Sequence, residues 1–401
     1  MSARWRKHRP RKVKRYRNPG KIFRKRVLPI LVVVFIAGAV VGGGYSLYRF
    51  AFPKVMNGLG IEWPPPTPTP PTPTPKPTPT PHPMEMIELT ELQKELVPHA
   101  DAKYICDPFR FENRIIYAGG QDEHGPRYHT LYLYNMETRE NTSIAGIEKA
   151  NDDFFQPQMN EKWIVVLDQK TTGGGLIKVI DREKNQSFTA KEYYDGKPVL
   201  TLVGDRICWM ERTGSGMDKI YLYELRTREA VTLDMFDKTI FGQSDVFMNR
   251  DEIVWAKYGT NAAGSEQDVQ AAIAHIRLDD PVKNIDMYQP EIYVHDPKTN
   301  GKIRIWSDQN HGPNPTLYKS IGGAAPMKVD EGINGYGIGD HFIAYSKGEI
   351  IYVTGWGSRD YTRQISLNGE RCIFAGVSDN TVFWYVTGIS DRDILKFAEI
   401  Q

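Results

Sequence analysis

The feature that most constrains this 401-residue chain is a strand-length motif that returns at near-constant spacing from Met84 onward. Polar turn residues Asn113, Asn160, Asp205, Asp251, Asp340 and Asn380 stand before short apolar runs: RIIY at 114–117, WIVV at 163–166, RICW at 206–209, EIVW at 252–255, FIAY at 342–345 and TVFW at 381–384. A partner run follows each: LYLY at 131–134, IKVI at 177–180, IYLY at 220–223, IYVH at 292–295, IYV at 351–353 and ILKF at 394–397. After four of the partners come a polar turn and a further strand, in NMETRENTSI, DREKNQSFTA, ELRTREAVTL and DPKTNGKIRI. β-Branched and aromatic runs between Gly, Asp and Asn turns read as strands, not helices. The six units recur at about 40–48 residues, apart from one step of 89 between Asp251 and Asp340. A sheet of this size cannot bury both faces alone, so such units stack. The expected fold class is all-β: a six-bladed β-propeller of four-stranded antiparallel blades over residues 84–401.

The pattern of strand, Asp/Asn turn, h-Y-h-x-D-x-x-T-x-x and strand resembles the TolB-like six-bladed propellers, over roughly residues 104–401. The Ser-Pro-Asp-Gly turn typical of that family is absent, and the Asn and Asp residues named above stand near its place. The resemblance implies an extracytoplasmic platform for protein interaction or ligand binding. It implies no activity, because one propeller fold hosts many functions. The recurring Tyr, Trp and Ile residues read as blade core, and the Asp/Asn residues as turn formers that tolerate left-handed backbone.

Residues 1–83 point to a location. The first 26 residues hold thirteen Lys/Arg and no Asp or Glu, and read as a basic cytoplasmic tail. Val27 to Leu47 is an uncharged run of 21 residues, near the ~20 that cross a bilayer as a helix, and 27–48 reads as a transmembrane signal-anchor. Positive charge crowds its N-terminal side, which places the tail inside and the bulk of the chain outside the cell membrane. The competing reading is a cleaved signal peptide, with Ala37-Gly38-Ala39 as the cleavage site. Residues 49–83 form a linker whose Pro-Thr tract from Pro64 to Pro83 favours polyproline II, a spacer of roughly 60 Å at ~3.1 Å per residue. Beyond residue 26 the chain carries 38 Lys/Arg against 49 Asp/Glu. That balance argues against nucleic acid and leaves anionic inner-leaflet lipid as the partner of the tail.

In a meander of strands a to d from the axis outward, b–c loops and d–a links share one face, and a–b and c–d turns the other. Two insertions stand out, Gly259–Gln289 as a b–c loop and Ser307–Gly332 as a d–a link, both on the first face. SEQDVQAAIAHIRL, from Ser265, predicts a short helix there through a near capping box and apolar residues at helical spacing. The b–c loop GGQDEHGPRYH of the first unit adds to the same face. His124, Arg127, Tyr128, His129, His275 and His311 are therefore the candidate ligand-face residues. No H-x-x-x-H or H-E-x-x-H spacing, G-x-S-x-G elbow, P-loop or EF-hand occurs. No metal, cofactor or catalytic residue is expected, and the first reading is a binding or scaffolding protein that is not an enzyme. Its partner would be a protein or a cell-envelope glycan on the membrane-distal loop face. The alternative is a polysaccharide-active enzyme of uronate-lyase type, using the His/Arg residues of that face.

Four further expectations follow. The sixth unit ends without an outer strand, so Met84–Leu89 should supply it, with Thr90 and Gln93 capping a short helix behind it. Entry through that strand turns the b–c face away from the membrane. Gly173, Gly174 and Gly175 read as a b–c turn. Cys106 and Cys372 occupy matching places in neighbouring units, near enough for a disulfide to be considered.

Overall fold

The protein is described by a computed structural model covering residues 92–400, apart from 122–125, 195, 212–216, 238–243, 259–270, 280–283, 310–312, 357–361 and 389–393. The chain divides into two compact units, Met1–Met84 and Glu85–Gln401, and the described residues all lie in the second. The tail, span and linker expected over 1–83 fall outside them. No helix among the described residues is long and apolar enough to cross a membrane.

The described residues form seven four-stranded antiparallel sheets. The first strand, β1 (Gln93–Leu96), belongs to the last sheet. Blade 1 comprises β2 (Tyr104–Phe111), β3 (Arg114–Gly120), β4 (Thr130–Asn135) and β5 (Asn141–Ser143), ordered from the axis outward. Blade 2 comprises β6 (Asp153–Met159), β7 (Trp163–Gln169), β8 (Gly175–Asp181) and β9 (Gln186–Tyr193). Blade 3 comprises β10 (Thr201–Val203), β11 (Arg206–Glu211), β12 (Met217–Glu224) and β13 (Glu229–Asp237). Blade 4 comprises β14 (Phe247–Met248), β15 (Glu252–Tyr258), β16 (Ala271–Arg277) and β17 (Asp286–Tyr288). Blade 5 comprises β18 (His295–Thr299), β19 (Ile303–Ser307), β20 (Thr316–Ile321) and β21 (Met327–Glu331). Blade 6 comprises β22 (Ile333–Ile338), β23 (Phe342–Lys347), β24 (Ile350–Gly355) and β25 (Thr362–Gln364). Blade 7 comprises β26 (Arg371–Ser378), β27 (Thr381–Thr387), β28 (Ile394–Glu399) and β1.

The burial pattern explains why the second strand of each blade is the legible one. It is covered by a neighbouring blade on each face, so it reads as a continuous apolar run and not as an alternation. In β3 every residue after Arg114 is buried, and in β7 every residue before Gln169. Outer strands such as β9 are largely exposed and correspondingly polar. The fourth residue of each second strand, Tyr117, Val166, Trp209, Trp255, Trp306, Tyr345 or Trp384, is fully buried. These side chains fill seven apolar cores, one at each blade–blade interface. One core joins blades 2 and 3 through Trp163, Tyr193, Ile207 and Trp209, and another joins blades 7 and 1 through Leu96, Tyr117, Tyr132 and Phe397.

The ring therefore has seven blades, not six. The 89-residue step holds two units, and Asn300 is the turn residue that divides it. DPKTNGKIRI, expected to be a turn and an outer strand, is the a–b hairpin of blade 5, β18 and β19. The insertion Ser307–Gly332 holds the third and outer strands of that blade, β20 and β21. The helix expected after Ser265 is not formed within 271–277. The segment AAIAHIR is β16, held by β15 and β17 on either side. Its apolar residues satisfy both periods, and burial against both neighbours selects the strand.

Closure by the N-terminal segment is observed, but through β1 and not through 84–89, which lies outside the described residues. Gln93, Lys94, Glu95 and Leu96 pair antiparallel with Ala398, Phe397, Lys396 and Leu395 of β28. The strand begins at the a–b/c–d face and ends at the b–c face. Cys106, Cys208 and Cys372 are all free. Cys106 packs into the core between blades 1 and 2, Cys372 into that between blades 6 and 7, so the two thiols serve interfaces on opposite sides of adjacent blades.

Candidate binding channel and groove

The innermost strands line a central channel, and three of them share an irregularity. Asp107-Pro108, Gln156-Pro157 and Asp296-Pro297 sit in β2, β6 and β18, where the strand register shifts between Cys106 and Phe109, Phe155 and Gln158, and His295 and Lys298. Proline cannot donate to the ladder, and a bulge accommodates it. The residue before each proline takes a left-handed backbone, at φ of 49°, 49° and 45°. Such geometry costs on the order of 1–3 kcal/mol per residue and persists only where neighbours hold it.

Bonds to neighbouring blades hold it here. Asp107 Oδ2 accepts from the Gln156 amide at 2.9 Å, and Gln156 Oε1 accepts from the Leu200 amide at 2.8 Å. Asp296 Oδ1 accepts from the Asp245 amide at 2.6 Å, while the Asp296 amide donates to Ser244 Oγ at 2.8 Å. The Asp107 amide donates to the Tyr385 hydroxyl of blade 7 at 3.1 Å. The Asp107-Pro108 and Gln156-Pro157 bulges, with Lys298 just after the third, form a polar collar lining a cavity of about 290 Å³. Lys298 Nζ donates to the Tyr336 carbonyl at 2.7 Å. Burial pulls its pKa below the ordinary lysine value despite the opposing charges of Asp296 and Asp245.

The a–b turns surround the wider mouth of the channel, a cavity of about 610 Å³. Asn160, Asn249 and Asn300 use Oδ1 to accept from the amides of their own turns. Their Nδ2 atoms reach to the next blade, at the carbonyls of Gly204, Thr299 and Gly339. These three asparagines therefore serve twice, as turn formers and as ties between blades. Asn160, Gly204 and Arg250 also line a second cavity, of about 570 Å³, bounded by turns of blades 2, 3 and 4. Lys162 connects that cavity to a third, of about 410 Å³, walled by Lys184, Arg226 and Arg228 of the c–d turns. Channel mouth and cavities make one radial groove on the a–b/c–d face.

The residues expected from sequence are only partly brought together. Arg127, Tyr128 and His129 lie in the b–c loop of blade 1, and the loop is tied to blade 2. Arg127 Nη1 and the Tyr128 amide bond the two oxygens of Asp153, at 3.1 and 2.7 Å. Gly120 permits this close approach, because a Cβ there would stand 2.5 Å from the Arg127 carbonyl. His275 is elsewhere, in β16 of blade 4. Its Nδ1 stands 3.4 Å from Glu252 Oε2, the carboxylate that also binds Arg304 and Thr299 of blade 5. Burial, with the nearby Arg304 charge, lowers the His275 pKa below its ordinary value. His124 and His311 lie outside the described residues. No group of three or more His, Cys, Asp or Glu among the described residues could hold a metal ion. The sequence reading missed the collar and the groove. Its available signal was the recurrence of Asp-Pro or Gln-Pro inside three strand sequences.

No family model and no curated protein matches the chain. Solved structures do. The β-propeller domain of the Trilobed protease from Pyrococcus furiosus, which has an open velcro topology, superimposes with a TM-score of 0.58 at 15% identity, over 74% of this chain and 96% of that one. Acylaminoacyl peptidase from Pyrococcus horikoshii matches with a TM-score of 0.53 at 13% identity, over 73% of this chain and 50% of its own. An oligogalacturonate lyase in complex with manganese matches with a TM-score of 0.50 at 11% identity, over 77% and 93%. At these identities the matches establish the β-propeller fold and nothing finer. TolB from Acinetobacter baumannii also matches, but its TM-score of 0.39 carries no argument for that family. The expectation that the chain is not an enzyme is overturned as a deduction from its fold: all three superimposed propellers belong to proteins named as enzymes.

Proposed function

We propose that this chain is a membrane-anchored, extracytoplasmic propeller that recognises a protein or cell-envelope ligand through its channel mouth and the groove that leads from it, on the a–b/c–d face where β1 enters and not on the b–c loop face expected from sequence. The supporting observation is the continuity of the cavities on the a–b/c–d face, from the turns around the axis to the c–d turns of blades 2 and 3. Ligand sites are concave, largely preformed and furnished with a few polar groups, and the bonds from turn to next blade fix this surface in advance. The basic tail and apolar run of residues 1–48 supply the anchor, and the Pro-Thr tract the spacer.

The test is hydrogen exchange on the full chain in detergent, with and without solubilised cell-envelope material. Protection is expected at residues 160–163, 181–186 and 224–229. Protection confined to the b–c loops, including 126–130, would place the ligand on the opposite face and overturn the reading.

A further inference from the structure

The charges along the groove narrow the ligand class, on the reading that the groove is the binding surface. Between Arg250 at the channel mouth and Arg228 at the rim, the outer two cavities are lined by six cations and five carboxylates. Three of the cations are already matched within the protein. Arg226 Nε bonds Asp205 Oδ2 at 2.6 Å, Lys184 Nζ bonds Asp181 Oδ2 at 2.7 Å, and Arg206 Nε bonds Glu224 Oε2 at 3.3 Å. The other three, Lys162, Arg228 and Arg250, have no carboxylate partner among the described residues. Arg228 is instead fixed over the Phe188 ring, its Cζ 4.1 Å from the centroid. This cation–π contact holds the guanidinium beside the cavity without using a carboxylate partner among the described residues. Glu161 and Glu183 likewise line the groove with no ion-pair partner among the described residues.

We infer that the groove takes an acidic glycan strand whose carboxylates are spaced apart by neutral sugars. Lys162, Arg228 and Arg250 would meet its carboxylates, and Glu161 and Glu183 would accept from its hydroxyls. The argument rests on mixed sign. A guanidinium binds a carboxylate through paired N–H donors, so the uncompensated cations call for anionic groups. A dense polyanion such as nucleic acid would bring far more charge than Lys162, Arg228 and Arg250 can meet, and would set it against Glu161 and Glu183 as well. An acidic peptide would bring few hydroxyl donors for Glu161 and Glu183. A hydroxyl-rich chain with intermittent acid groups satisfies both signs at once, and the length of a radial groove suits an oligomer entering from the rim toward the channel mouth.

The probe is hyaluronan hexasaccharide, in which carboxylated and neutral sugars alternate, titrated calorimetrically against the full chain in detergent at 150 mM salt. Its carboxyl-reduced form and heparin hexasaccharide serve as comparisons. Binding is expected for hyaluronan, with at least tenfold weaker binding of the reduced form and no gain for heparin. The double substitution Lys162→Gln with Arg228→Gln should weaken hyaluronan at least tenfold while the melting temperature holds. Arg371→Gln, which breaks the exposed pair with Glu349 on the b–c face between blades 6 and 7, should change nothing. Absence of binding at millimolar hyaluronan, tighter binding of heparin, or indifference to the double substitution would each overturn the inference. Envelope protection at 160–163 and 181–186 without hyaluronan binding would leave the general binding reading standing and remove only the ligand class.

Discussion

Closure of the ring by β1 makes a sharp quantitative demand on one side chain. Leu96 is 1% exposed and packs with Ala102, Leu395 and Phe397 in the core between blades 7 and 1. Replacing a leucine so buried by alanine costs about 3–5 kcal/mol, from lost transfer energy and the cavity left behind. The neighbouring Lys94 pairs with Glu399 at 2.6 Å, but their side chains are 51% and 30% exposed, and an ion pair of that kind contributes about 0–1 kcal/mol. Ordering four residues of β1 costs about 1–2 kcal/mol each in backbone entropy, which the burial of Leu96 offsets only together with the ladder to β28 and the bond from Gln93 Nε2 to the Ile365 carbonyl. For a domain of this size, about 2 °C of melting temperature accompanies each kcal/mol. Leu96→Ala should therefore lower the melting temperature of the full chain by roughly 6–10 °C, and Lys94→Ala by under about 2 °C. Scanning calorimetry of the two variants reads the difference directly. Equal, small shifts would show that the ring does not depend on β1.

The remaining predictions concern titration and thiols. Burial holds the His275 pKa below its ordinary value. The native state thus resists its protonation, and stability that is complete above about pH 6.5 should fall as pH drops through that value toward the folded pKa. His275→Gln should flatten urea-midpoint profiles between pH 7 and 5, and an unchanged acid slope would refute the assignment. Burial also raises the Glu252 carboxyl, but bonds from Arg304 and Thr299 outweigh it and hold the pKa below the usual range. That contribution is present above about pH 4.5 and is lost only at lower pH, which separates the two groups. Thiol titration in denaturant should count three thiols without reductant. In the native protein Cys372, pushed up to about 11 by burial, and Cys208, raised by full burial, should react slowly; a disulfide found by mass mapping would contradict the packing.

The propeller was legible in sequence because its second strands are buried on both sides and so carry unbroken apolar runs. Blade count was not, and one strand shows why. Ile303-Arg-Ile-Trp306 has the same aromatic fourth residue as RICW and EIVW, but Arg304 interrupts the apolar run. That arginine faces the Glu252 carboxylate of blade 4, at 2.8 Å, and is stabilised there by charge. A local apolar pattern cannot register a partner some fifty residues away. Over 271–277 the helix expected after Ser265 gives way to β16 for a similar reason, since tertiary burial on both faces decided between two compatible periods. The candidate site was the least legible part. His275 and the loop 127–129 share a residue type but stand in blades 4 and 1. The collar arises from Asp-Pro and Gln-Pro bulges, whose polar side chains reach across to neighbouring blades.

Seven blades in place of six is the claim on which channel, groove and closure all depend, and hydrogen exchange across residues 303–332 of the unliganded full chain tests it most directly. As the second and third strands of blade 5, β19 and β20 have Ile305, Trp306 and Leu317 fully buried. Their amides should exchange as slowly as those of β15 and β23, with protection restored in β21 after the turn at 322–326. Exchange across 307–332 on the timescale of an open loop, with β23 still protected, would contradict the seventh blade and the ring built on it.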